Sequence, residues 1–153
     1  MAQKKGMRRN GRTLAFQVLY GLGFAPVAET STLEWAFAEN PAVLKEDAED
    51  VRTFARGLVQ GVWGRREELD QIIHRHSKHW KLHRIAKVEL AILRLALYEM
   101  LHCADIPLKV ALNEAIELSK QFGDENSRNF INGILDAAAK AVDNGDLGVD
   151  KKF

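Results

Sequence analysis

IAKVELAILRLALYEML, residues Ile85 to Leu101, decides the fold class. Ile85, Val88, Ile92 and Leu95 recur at three- and four-residue steps and Met100 extends the row. Leu93, Ala96 and Leu97 stand beside them, so apolar groups surround most of a helical circumference. This spacing predicts a central, largely buried helix. Lys87, Glu89, Arg94 and Glu99 interrupt the same stretch, which excludes a membrane span.

Downstream, Pro107 suits the first turn of a next helix, where its missing N–H is no loss, and Val110, Ala111, Ala115 and Leu118 give that helix an apolar stripe. Phe122-Gly123 stops it. Asp124 or Asn126 can cap a final helix carrying Phe130, Ile131, Ile134, Leu135, Ala138 and Val142. Beyond it, residues 144–153 read as a disordered tail rich in Gly and Asp.

Upstream, Leu14, Val18 and Leu22, with Ala15, Phe16 and Leu19, form one buried face of a first helix that Gly21, Gly23 and Pro26 bring to a close. Ser31 and Glu34 make a capping-box pattern before a short second helix that Asn40-Pro41 ends. Val51, Phe54, Ala55, Leu58, Val59 and Val62 predict a longer one, with Glu67–His76 as a separate helix after the glycines at 57, 61 and 64. Gly57 and Gly61 have the spacing of close helix contact. With no alternating β pattern, internal repeat or low-complexity tract, the class is all-α with six or seven helices.

Charge is distributed unevenly. Lys4, Lys5, Arg8, Arg9 and Arg12 put five positive and no negative charges in the first twelve residues. Residues 13–153 then hold 17 Lys and Arg against 21 Asp and Glu, a net of −4. A basic arm on an acidic body suits phosphate neutralisation with counterion release, and it equally suits a solvated tail; residues 1–7 are read as a flexible arm. At 153 residues and 46% hydrophobic composition the chain suits a domain with its own core. A lone Cys103 and the absence of an apolar leader in the opening residues predict a cytoplasmic address.

Catalytic chemistry is sparse. His74, His76, His79 and His83 form the one cluster resembling a site, but Cys103 is remote, no His-Glu-x-x-His pattern occurs, and the surrounding Lys and Arg oppose a cation. No nucleophile elbow or phosphate-binding glycine loop is present, so no enzyme, metal or cofactor is expected. Tyr20, Trp80, Phe122 and Phe130 flank polar or basic segments, where a ring can fill a core or stack on an unpaired base.

WKLHRIAKVELAILRLALYE (Trp80–Glu99) followed by DIPLKVALNEAIELSKQFGDENSRNFINGILD (Asp105–Asp136) resembles the signature of the bacterial NusB family. RRNGRTLAFQVLY (Arg8–Tyr20) is similar to that family's arginine-rich first helix. The resemblance implies two small helical subdomains, within a single helical domain spanning residues 8–143, and a monomer or loose homodimer. It implies no catalysis. It implies a factor that binds a single-stranded boxA element of nascent ribosomal RNA, as a heterodimer with the ribosomal protein NusE, and helps the elongation complex pass terminators. Carried onto this chain, Arg8, Arg9 and Arg12 match RNA-contacting arginines, with Lys4 and Lys5 extending the charge. Tyr20, Phe122, Asn126 and Phe130 fall near RNA and partner surfaces, and Glu89 and Glu99 mark the helix expected to face NusE.

Two departures stand out. Asn10 and Gly11 replace the arginine and alanine frequent in relatives, and an interior glycine costs a helix about 1 kcal/mol relative to alanine. The first turn is therefore expected to form on RNA. Asn126 stands where an acid is frequent, which should favour RNA modestly. Two other readings stay open: a helical module that binds only protein, and a NusB-like accessory domain associated with rRNA methylation, for which a chain ending at Phe153 leaves no room for a cofactor-binding sheet.

Overall fold

The computed structural model describes residues 2–77 and 84–153, with side chains from residue 6 onward, and every regular element among them is helical. The chain divides into two units, Met1–Gly64 and Arg65–Phe153.

The first unit holds α1 (Ala2–Phe24), α2 (Thr30–Glu39), α3 (Pro41–Lys45) and α4 (Glu49–Gly64). Its core is the predicted face of α1, from Leu14 to Leu22, with Val51, Ala55, Leu58, Val59 and Val62 of α4. α1 packs mainly on α4, and α3 touches both α1 and α2. The interior glycine of α1 has a packing reason. A Cβ on Gly11 would stand 2.4 Å from Cδ1 of Phe54, so the missing side chain lets that ring lie against the α1 backbone. α1 passes through Gly11 as continuous helix from Ala2 to Phe24.

Three local expectations are corrected. The Ser31–Glu34 capping box is not made: α2 starts at Thr30 after Glu29, with no side-chain cap, and Glu34 instead meets Arg56 at 3.4 Å and Gln60 at 3.4 Å. Asn40-Pro41 ends one helix and also starts another, because the Asn40 side chain accepts from Ala42 N at 2.9 Å and Pro41 occupies the first turn. That short α3 brings the described helices to eight, where six or seven were expected. Gly57 is exposed and a Cβ there would meet nothing within 4 Å, so it is no close-contact glycine. Trp63, 5% exposed, donates its indole N–H to Val27 O at 2.8 Å and pins the loop after α1 onto α4.

The second unit holds α5 (Arg66–His76), α6 (Lys87–His102), α7 (Leu108–Phe122) and α8 (Glu125–Asp143). α6 is its centre, as its composition predicts: it packs against α5, α7 and α8, and Ala91 through Leu93, Leu95 through Leu97, Met100 and Leu101 are buried. Pro107 caps α7 from one residue outside it rather than within its first turn. The Arg94 fork on α6 holds Asp70 on α5 through two 2.7 Å bonds, a bidentate pair with both side chains mostly covered. After α8, Gly145 and Gly148 take left-handed φ angles of 82° and 74°, conformations that disfavour a side chain. The Lys151 ammonium then donates to the carbonyls of Glu99, Met100 and Cys103 at 3.0, 3.1 and 2.9 Å. These carbonyls cluster at the negative end of the α6 dipole; those of Glu99 and Cys103 also accept from Cys103 N and Ile106 N at 3.3 and 3.0 Å, so the ammonium adds a second, charged donor to each. Burial pulls the Lys151 pKa below the ordinary lysine value.

Candidate nucleic-acid interface

The candidate residues fall into two groups, one in each unit. In the first unit α1 carries the arginines. Arg9 is exposed, Arg8 is half-buried, and Arg12 is 4% exposed, inside the protein rather than on the surface where the sequence reading had it. The Lys4 and Lys5 side chains lie outside the described residues. At 100° per residue, the eleven steps from Arg9 to Tyr20 return to within about 20° of the same direction, about 16 Å further along the helix. Thr13 lies on this face too, its hydroxyl donating to Arg9 O at 3.1 Å.

The far end of that face is aromatic. Tyr20 stacks on Phe16 with centroids 5.9 Å apart and meets Phe24 edge-on at 5.0 Å. Phe24 is 61% exposed, a large ring held in place with an open face. The sequence reading missed it, although its position one turn beyond Tyr20 was a usable signal. Beside the same face, Asn10, Thr13 and Gln17 line an open depression of about 220 Å³ whose opposite wall carries Lys45 and Glu46. Cation, amides, hydroxyl and rings therefore lie along one helix. Such a strip can hold a phosphate, hydrogen-bond a base edge and stack a base face.

In the second unit the turn from α7 to α8 carries the rest. Phe122 ends α7, and Asn126 and Phe130 are one turn apart on α8, Asn126 exposed and both rings half-buried. Asp124 fixes the start of α8 by accepting from Ser127 N at 2.8 Å. That backbone bond, followed by a bond from the Ser127 hydroxyl, lowers the Asp124 pKa below its ordinary value. The N-terminus that places Asn126 is thus set by an ionised cap.

The two acids expected to face a protein partner already have local engagements. Glu89 folds back to accept from Ala86 N at 3.1 Å and closes the first turn of α6. Glu99 is 2% exposed, so its carboxyl is not presented at the surface in this structure. The sequence could not show this, because a charge on an otherwise apolar helix reads as a solvent marker. The partly exposed side of α6 instead presents Tyr98 and His102, whose rings lie 5.5 Å apart, with His102 Nε2 3.1 Å from Glu68. Burial raises the Tyr98 pKa.

Of the histidine cluster, His74 is exposed and His76 half-buried; His79, His83 and Trp80 lie outside the described residues. Among the described residues no group of three or more His, Cys, Asp or Glu comes together to hold a metal. No described helix is long and apolar enough to cross a membrane.

Comparison with known proteins gives this architecture a family. The model of the NusB family matches residues 9–140. The transcription antitermination protein NusB of Oleidesulfovibrio alaskensis is 55% identical over 141 residues, 92% of each chain. A NusB crystal form from T. maritima superposes with a TM-score of 0.77 at 36% identity, covering 87% of this chain and 90% of that one. A structure of antitermination factors NusB and NusE in complex with dsRNA superposes with a TM-score of 0.77 at 27% identity, over 88% and 97% of the two chains. With the family match running from Arg9 at the cationic end of α1 to Lys140 near the end of α8, the chain belongs to the NusB family, a transcription antitermination factor rather than an enzyme.

Proposed function

We propose that this chain binds a single-stranded boxA-type element of nascent ribosomal RNA together with the ribosomal protein NusE, in the cytoplasm, and so promotes processive rRNA transcription by the elongation complex. The observation that carries the reading is the α1 strip, in which exposed Arg9 shares a face with Tyr20 and the open Phe24 ring. Lys4, Lys5, Arg8 and Arg9 supply phosphate contacts. Arg12, being buried, acts by holding α1 in place. Tyr20, Phe122 and Phe130 offer ring faces, and the Asn126 amide offers a donor and an acceptor to a base edge. Glu89, with the partly exposed side of α6, receives the basic protein partner; Glu99 supports that helix from within. The matched NusB–NusE structure, in complex with dsRNA, supports RNA and NusE as the two partners; the preference for a single strand rests on the rings.

Single-stranded recognition suits stacking rings, because paired bases keep their faces covered. Filter binding of single- and double-stranded oligonucleotides, with and without NusE, tests the reading. Affinity for the single strand should fall with salt at a logarithmic slope of about −3, as expected for four or five neutralised phosphates. A slope near zero, or equal affinity for duplex, overturns it. Sedimentation of the free chain over a concentration range tests the homodimer that would cover the RNA face.

A further inference from the structure

On the first unit, a groove of about 550 Å³ opens where α2, α3 and the start of α4 meet. The RNA reading makes no use of it. Phe37 and Leu44 contribute its apolar lining, and Leu44 is 65% exposed. Trp35, one residue from the groove-lining Glu34, is 66% exposed. These are two of the five large apolar side chains left exposed among the described residues, both on the same short segment. An exposed apolar side chain such as Leu44, in a groove rimmed by charge, marks a place where another surface fits.

The rim decides what kind of surface. Glu34, Glu46, Asp47 and Glu49 face two cations, Arg52 and Arg56, around the groove. Both cations are already engaged: Arg56 with Glu34 at 3.4 Å, and Arg52 with the backbone carbonyl of Glu46. Glu46 accepts from Ala48 N at 3.1 Å. Asp47 and Glu49 pair with no described cation, so two uncompensated carboxylates stand beside Leu44. A nucleic acid is repelled by such a rim. A basic segment with an apolar anchor is attracted to it.

We propose that this groove is a protein-docking site for a basic amphipathic peptide segment of a partner, one that seats an apolar side chain against Phe37 and Leu44 and sets lysine or arginine against Asp47 and Glu49. A volume of this size falls within the range of clefts that enclose a small ligand or an anchoring side chain. Its lining meets that of the depression beside α1 only at Glu46, so a basic segment seated against Leu44, Asp47 and Glu49 leaves Arg9, Tyr20 and Phe24 uncovered.

The test uses the full chain and a fluorescein-labelled peptide alternating lysine with leucine, followed by anisotropy at low ionic strength and by amide shift mapping. The expected result is binding with shifts confined to residues 34–56. Asp47→Asn with Glu49→Gln should weaken it about five-fold, and Leu44→Ser, at an exposed position, should weaken it with unchanged thermal stability. RNA affinity should be unaffected by either variant. The proposal is overturned by equal peptide affinity in both variants, by shifts centred outside the groove, or by equal binding of the same peptide with glutamate for lysine. Competition by single-stranded RNA overturns it too, as does a homodimer that the acid substitutions dissociate, since the occupant would then be nucleic acid or a second copy.

Discussion

Replacing Gly11 by alanine should destabilise the first unit, although alanine is the better helix former. On propensity alone the substitution gains about 1 kcal/mol. Against that, the new Cβ would stand 2.4 Å from Phe54 Cδ1, and ordinary contact begins near 3.4 Å, so ring and helix must separate by about an ångström. Overpacking of this kind costs about 1–3 kcal/mol. The net is a loss of about 1 kcal/mol, equivalent to about 2–4 °C in a chain of this size. Removing the ring should reverse the sign: in a Phe54→Ala background, Gly11→Ala should stabilise by up to about 1 kcal/mol. Urea denaturation followed by circular dichroism on the four members of the cycle gives a coupling of about 2 kcal/mol. If Gly11→Ala stabilises the protein while Phe54 is present, or the coupling falls below about 0.5 kcal/mol, close packing of α1 on α4 does not explain the glycine.

Arg9→Ala should weaken single-stranded RNA binding and leave the urea midpoint unchanged, whereas Arg12→Ala should lower stability by about 2 kcal/mol because it empties a buried position; midpoints and filter binding on the two variants separate the roles. Asn126→Asp should bind boxA-type RNA less tightly, and equal or tighter binding would remove Asn126 from the phosphate path. The Asp124 cap has a folded pKa below its ordinary 3.8, so its contribution is complete above that value and is lost as pH falls through the lower, folded one. Asp124→Ala should therefore speed hydrogen exchange at the start of α8 near neutrality, and the difference from the parent should narrow below about pH 4.

Much of the fold was legible because burial imposes a period. The α6 pattern from Ile85 to Leu101 and the α1 face from Leu14 to Leu22 emerge as the centres of their units, and of the two cap candidates Asp124 and Asn126 it is Asp124 that caps α8. Short-range chemistry was less legible. Ser31 and Glu34 have the right spacing for a cap, but Glu34 is drawn to Arg56 and Gln60 on α4, partners whose proximity no local window contains. Gly11 read as a weak point in a helix because its compensation, the Phe54 ring, comes from 43 residues away. The cationic start of α1 was plain in the charge count, yet only the packed structure separates exposed Arg9 from buried Arg12. Buried Glu99 escaped for the same reason.

Among the carbonyls that Lys151 gathers is that of Cys103, the residue that closes α6 and carries the chain's single thiol. The thiol of this half-buried residue is a native clock for that closure: alkylation by a small maleimide should quicken whenever residues 144–153 lift from the helix end. Comparing that rate in the free protein and in its complexes reads out, without any introduced label, whether events elsewhere on the chain reach its final residues.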